Sequence, residues 1–253
     1  MADFLSNPGI PHLELALLLV SLAALVRGYT GFGFAAIAIT GLNLVWPPQL
    51  SVPVILLLDL IGTLGLLGAA WPAADKGLIG RFSLGALIGI PLGLTLLIQV
   101  PETHLKLGIS IGVLLMSLLL MRRPQVSSRE HHWLTRTIGG VSGAFTAAAS
   151  VGGLPVVCYL LTVPLSTAVQ RASMVIFLAA TDLVALLLLY ISGVFDTSLI
   201  APVLVLLIPT ILGVQVGQWA FHRRRPQSFH PVALPILTLL SVSGLGMGVY
   251  KLF

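Results

Sequence analysis

Charge is what this chain has least of. Only 8% of its 253 residues are Asp, Glu, Lys or Arg, against 57% hydrophobic, and the mean hydropathy is +1.05. A soluble domain of this size needs a charged surface, so the composition excludes one and points to a polytopic membrane protein. Cysteine is scarcer still. The single Cys158 lies in an apolar run, which leaves neither an internal disulfide nor a thiolate metal site and suits a small buried apolar role. The N-terminal residues 1–8 lack the basic region of a signal peptide, and no small-residue cleavage site stands out after the first apolar run, which is therefore read as retained.

Clusters that carry enzyme chemistry are missing too. His12, His104, His131, His132, His222 and His230 fall at segment ends or in polar loops, with no H-x-x-x-H pair or carboxylate cluster to hold zinc or iron. No G-x-S-x-G elbow accompanies a His and an acid. The reading is of a protein that is not an enzyme and needs no cofactor. The formal net charge of +5 is explained by basic loops that obey the positive-inside rule and touch anionic lipid, without nucleic acid.

Long apolar runs are what the chain has in plenty. A helical span takes about 20 apolar residues, and six runs meet or nearly meet that length: 50–70, 82–100, 105–121, 172–191, 199–220 and 231–250. Two regions differ. Apolar runs at 13–26 and 35–46 flank a glycine-rich break from Arg27 to Phe34, and runs at 133–149 and 154–163 flank a second break from Ser150 to Pro155. Runs this short read as re-entrant or half-helical segments. Lipid cannot hydrogen-bond free N–H and C=O groups, so non-helical backbone at membrane depth survives only inside protein or beside a watery cavity. Paired breaks in corresponding places are the sequence sign of a transporter's binding site.

The longest polar stretch, 122–132 with Arg136 just beyond, is basic and so cytoplasmic by the positive-inside rule. Counting crossings from it places Lys76, Arg81, Arg171 and the basic cluster 222–225 on the same side. Each half then holds one hairpin and three crossings, and the odd number makes the second half enter from the opposite face. The expected fold is an all-α polytopic membrane protein of two inverted repeats, each a broken or re-entrant helical hairpin plus three transmembrane helices. The first repeat is 1–121, the basic linker 122–136 and the second repeat 137–253. The halves echo each other in order: Gly31-Phe32-Gly33 and Val151-Gly152-Gly153, Pro47 and Pro164, Asp59 and Asp182, Pro91 and Pro209, at offsets from 117 to 123.

A Gly-rich hairpin followed by three helices, a basic central linker and a second hairpin ending in Gly152-Gly153-Leu154-Pro155 resembles the TauE/SafE sulfite exporter family, also called the 4-toluene sulfonate uptake permeases. The resemblance covers nearly the whole chain. It implies a secondary carrier in the bacterial cytoplasmic (inner) membrane for small anions of the sulfite, thiosulfate, sulfonate or carboxylate class. Where members often carry further glycines and a proline after the first tip, this chain has Phe34-Ala35-Ala36-Ile37.

The residues themselves support an anion site. Helix N-termini that begin at a break expose unpaired N–H groups and the positive end of the dipole, and glycine lets backbone approach a ligand closely. Substrate-binding candidates are Arg27, Gly31, Phe32, Gly33, Asn43, Ser150, Gly152, Gly153 and Arg171, with hydroxyls from Ser142 and Thr146 as further donors. Arg27 either grips an anion bidentately or snorkels to an interface; Arg171 is either a ligand or a topology anchor. Asp59 and Asp182 sit mid-helix at corresponding positions, where a carboxylate either carries a coupling proton or is structural, bonded to backbone or paired with Arg. Gly85 and Gly89, like Gly244 and Gly248, have small-xxx-small spacing and read as packing. The leading reading is a secondary anion transporter with protons as an optional partner, membrane lipids around it and a homodimer as an option. The alternatives are an intramembrane enzyme on a lipid-linked substrate, or an anion channel.

Overall fold

A computed structural model describes residues 12–30, 33–121, 130–195, 199–224 and 242, and no strand occurs among them. The helices are α1 (Leu13–Thr30), α2 (Phe34–Leu42), α3 (Pro48–Ala70), α4 (Lys76–Gln99), α5 (Glu102–Met121), α6 (His132–Ala149), α7 (Gly153–Leu160), α8 (Thr167–Ile191) and α9 (Ile200–Arg224). Five of them, α3, α4, α5, α8 and α9, are long and apolar enough to cross a membrane. Their outer faces carry Leu87, Ile88, Leu183, Ile208 and Val216 exposed, while Arg27, Asp59, Asp182, Thr63 and Ser142 are buried. Apolar outside and charged inside is the reverse of a protein solvated by water. The fold is that of a multi-pass membrane protein.

Helix ends depart from the apolar runs where a cap decides them. α4 begins at Lys76, not 82, because the Asp75 carboxylate accepts from the Leu78 N–H at 2.9 Å. α8 begins at Thr167, not 172, behind Ser166, whose Oγ accepts from the Val169 N–H at 3.4 Å. Such caps satisfy donors that the first turn leaves orphaned, and the polar turns they start are invisible to hydropathy. The sixth expected crossing, 231–250, lies outside the described residues apart from Val242, as do Gly244 and Gly248.

Two helix pairs fold back on themselves. Gly41, near the end of α2, abuts Leu19 near the start of α1: a Cβ built on it would stand 2.8 Å from Leu19 Cδ2. Likewise the Tyr159 hydroxyl near the end of α7 lies 2.7 Å from Thr135 Oγ1 in the first turn of α6. Thr135 also donates to Glu130 Oε1 at 2.8 Å, so its single proton is committed and Tyr159 is the donor. Glu130 is held by Arg81 of α4 through two parallel bonds of 2.8 and 2.7 Å, the fork geometry that makes Arg–carboxylate pairs specific. After α7, Gln170 Nε2 donates to the carbonyls of Leu160 at 2.9 Å and Leu165 at 3.0 Å, closing a helix end that glycine does not cap.

Glycine seams bind each α1/α2 and α6/α7 pair to a long helix. A Cβ on Gly85, Gly89 or Gly93 of α4 would stand 1.8, 1.9 or 2.1 Å from the carbonyl oxygens of Arg136, Gly140 and Ala144 on α6. On the other seam, Gly28 of α1 would meet Val214 O of α9 at 2.2 Å, and Gly217 would meet Leu25 O at 2.3 Å. Without hydrophobic drive between helices in lipid, such close backbone approach supplies the packing energy. The seam also corrects the expected extent of the first break. Residues 27–30 are helical, because Gly28 is small for contact with α9 and not for a turn.

Gly89→Ala is expected to lower the thermal midpoint of the purified protein by the equivalent of at least about 1–3 kcal/mol, since its methyl group has backbone in its way. Gly62→Ala in α3, where a Cβ meets nothing within 4 Å, is expected to leave the midpoint unchanged or raise it through helix propensity worth about 0.5–1 kcal/mol. Thermal unfolding of the two variants in one detergent checks the contrast.

Candidate functional site

The second break is built from hydrogen bonds within α6. Ser150 caps that helix with φ 59° and ψ 14°, its N–H donating to Thr146 O at 2.8 Å, and the Val151 N–H donates to Phe145 O at 3.2 Å. A non-glycine residue in this left-handed region costs roughly 1–3 kcal/mol and persists only where its surroundings hold it, often at ligand sites. Ser142 does the holding: its hydroxyl reaches ten residues on and donates to Gly152 O at 2.7 Å. Gly152 must be glycine for space, since a Cβ would lie 1.9 Å from Thr146 Oγ1. α7 then starts at Gly153, with Pro155 in its first turn where a missing N–H costs nothing.

The first break ends differently. Gly33 has φ 91° and precedes α2, and around it a Cβ would find only Val26 Cγ1 at 4.0 Å. Conformation and not crowding requires glycine there. Gly31 and Phe32 lie outside the described residues.

Both breaks open on one cavity. It is lined by Arg27, Gly33, Ala35, Ala36, Asp59, Leu178, Asp182 and the stretch from Ser150 to Leu154. Its empty space of about 390 Å³ includes open solvent. The first turns of α2 and α7 face it, bringing N–H groups that have no partner within their own helices. Arg27 of α1 forms an ion pair with Asp59 of α3, and its second terminal nitrogen donates to Thr63 Oγ1. Thr63 donates in turn to Asp59 O at 2.7 Å. Among the described residues, Arg27 Nε, Thr146 Oγ1, Ser150 Oγ and Asp182 Oδ2 are buried without a hydrogen-bond partner. Orphaned polar atoms are rare in folded interiors and call for an explanation such as a bound ion or water. Of these four residues, Arg27, Ser150 and Asp182 line the cavity, bringing two donors and one acceptor.

Of the expected site residues, the structure brings Arg27, Gly33, Ser150, Gly152, Gly153, Asp59 and Asp182 to one place. Asn43 lies elsewhere. It follows α2 at the end away from the break, where its Oδ1 accepts from Ser51 Oγ at 2.6 Å. Arg171 is half-buried in the first turns of α8 and does not line the cavity. Thr63 was not foreseen as a partner of Arg27, although its place four residues after Asp59 puts both on one helix face. Among the described residues no three His, Cys, Asp or Glu side chains converge as metal ligands would.

A model of the "Sulfite exporter TauE/SafE" family matches residues 16–244, from the first turns of α1 to beyond α9. The chain belongs to that family. No curated protein and no solved structure matches it. TauE/SafE members are membrane transporters, and a cavity between broken helices is the feature a carrier needs. In this TauE/SafE protein the guanidinium is engaged by its own acid, so losing it exposes that acid. Arg27→Ala is expected to destabilise the fold by about 3–5 kcal/mol because Asp59 is left buried and unpaired. Arg27→Ala combined with Asp59→Ala is expected to recover part of the loss, read as a higher melting temperature than the single variant.

Proposed function

We propose that this protein is a secondary carrier of small sulfur-containing or carboxylated anions of the sulfite, thiosulfate, sulfonate class, working in the bacterial inner membrane. One observation carries the reading: two helix N-termini, the free Nε of Arg27 and the free hydroxyl of Ser150 share one cavity. Donors that converge in this way suit an anion. In this reading the ligands are Arg27, Gly33, Ser150, Gly152 and Gly153, with Gly31 and Phe32 completing the first tip. The same cavity holds two carboxylates, which gives the carrier a place to couple protons.

The architecture we infer for the cycle is an inverted repeat of 1–121 and 137–253 around a cytoplasmic linker, 122–136. Support comes from the seams. α1 grips α9 and α6 grips α4 through the same kind of glycine contact, and α4 and α9 are corresponding crossings of the two halves. Each half thus lends its broken hairpin to the other. The ends of the hairpins agree: the α6/α7 pair closes beside Arg81 and Glu130, while the α1/α2 pair leads into the start of α3, whose far end lies near Asp75 and Ser173, bonded at 2.9 Å. Rocking one swapped unit against the other would expose the cavity to each side in turn.

Counterflow in proteoliposomes tests this. Vesicles preloaded with unlabelled sulfite, thiosulfate or methanesulfonate are expected to accumulate the labelled anion transiently above equilibrium, which a channel does not produce. Gly153→Leu is expected to reduce that flux at least tenfold while inserting and folding normally, since only the flexible Leu178 Cδ1 stands near its Cβ, at 3.2 Å, and the added bulk projects into the cavity. Label that only equilibrates, or parent-like flux in folded Gly153→Leu, contradicts the reading.

A further inference from the structure

Among the described residues, two carboxylates and one guanidinium line the cavity. Arg27 is committed to Asp59 by the ion pair and to the Thr63 hydroxyl, whereas Asp182, 4% exposed, has Oδ2 buried with no hydrogen-bond partner among the described residues. With both acids ionised the cavity carries a net charge of minus one before any substrate arrives. An arriving anion would then meet a like charge on a buried carboxylate, where repulsion is poorly screened.

Among the described residues, no other charged side chain lines the cavity. Of the helices packed on α8, α3 has Asp59 as its one ionisable residue, and α4 carries Lys76 and Arg81 only in its first two turns. α6 has His132 and Arg136 in its first turns, and α7 has Cys158 and Tyr159 at its far end, with Tyr159 bound to Thr135. On α8 itself Arg171 precedes Asp182 by three turns, about 16 Å along the axis. Among the described residues, the charges that act most strongly on Asp182 are those of Asp59 and Arg27.

We propose that Asp182 is a proton-binding site that loads one proton with each anion, while Asp59 remains the fixed counterion of Arg27. The proposal rests on the anion-carrier reading above. A proton from water adds to a carboxylate oxygen of Asp182 and brings the empty cavity to neutrality. The anion then enters against Arg27 Nε and the two helix N-termini without facing a free carboxylate. For a monovalent anion the pair crosses with no net charge, and release of the anion to the other side frees Asp182 to lose its proton there. Coupling follows from the charge count in the cavity and needs no contact between proton and anion.

Equilibrium binding of methanesulfonate and thiosulfate to the purified protein tests this, because neither probe changes charge across the pH range in which carboxylates titrate. On the alkaline side, parent affinity is expected to fall by about tenfold per pH unit, the limiting slope for one linked proton. In Asp182→Asn, which keeps the shape of the protonated carboxyl but cannot lose a proton, affinity is expected to stop varying with pH. Asp182→Glu is expected to restore the slope with a shifted midpoint, and it decides the matter should the Asn variant not fold. Parent binding that is flat with pH, the parent slope persisting in Asp182→Asn, or an unmoved midpoint in Asp182→Glu overturns the proton site while leaving the anion site standing. No binding of either probe to the parent at any pH overturns the carrier reading itself, and the proton site with it.

Discussion

Hydrocarbon offers backbone no hydrogen bonds, and the rest of this structure follows from that. A helix interrupted at membrane depth leaves N–H and C=O groups bare, each costing several kcal/mol unless protein or water takes them up. The break after α6 meets part of the demand internally, through the Ser150 and Val151 N–H groups and the Ser142 hydroxyl on Gly152 O. Leu154 N–H is met by Val151 O at 3.1 Å and Pro155 has no N–H, which leaves Gly153 in the first turn of α7, while the first turn of α2 leaves its own leading N–H groups. Both face the same cavity. The unsatisfied donors are concentrated where water or an anion can reach them, and the proposed binding site draws on them.

Rigid surroundings are needed to hold such a place open, and the glycine seams provide them. Where α4 meets α6 and α1 meets α9, backbones touch with no room for a methyl group, so each broken hairpin is fastened to an unbroken helix that spans the membrane. At the base of the α6/α7 hairpin, the chain from Arg81 through Glu130 and Thr135 to Tyr159 adds directional bonds to that packing. The ring of Tyr159 also stacks edge-on against Phe82, with centroids 5.8 Å apart. The cavity floor is thus tied to the polar end of the bundle by side chains with little freedom to drift.

Much of this was legible in the residues, and the failures have physical causes. The break at Ser150 to Gly153 could be read because glycine, serine and proline together interrupt an otherwise apolar run. The first break was read too wide, since a glycine inside a helix for close packing looks, in one dimension, like a glycine in a turn; Gly28 differs from Gly33 only through α9. Asp59 and Asp182 could be matched by their spacing, but not told apart. The pairing of Arg27 with Asp59 depends on how α1 lies against α3, and the sequence has no record of that. Asn43 and Arg171 were drawn into the site by chemistry alone. Neither lines the cavity: Asn43 follows α2 at the end away from the break, and Arg171 precedes Asp182 by three turns of α8.

The central claim is that the two broken hairpins meet to bind a small oxyanion. The most direct measurement is a crystal structure with selenite, the selenium analogue of sulfite, located by anomalous scattering. The account predicts a selenium peak between Gly33 and Gly153, within hydrogen-bonding reach of Arg27 Nε and Ser150 Oγ. A peak at the basic ends of the bundle, with that cavity holding only water at saturating selenite, would contradict it.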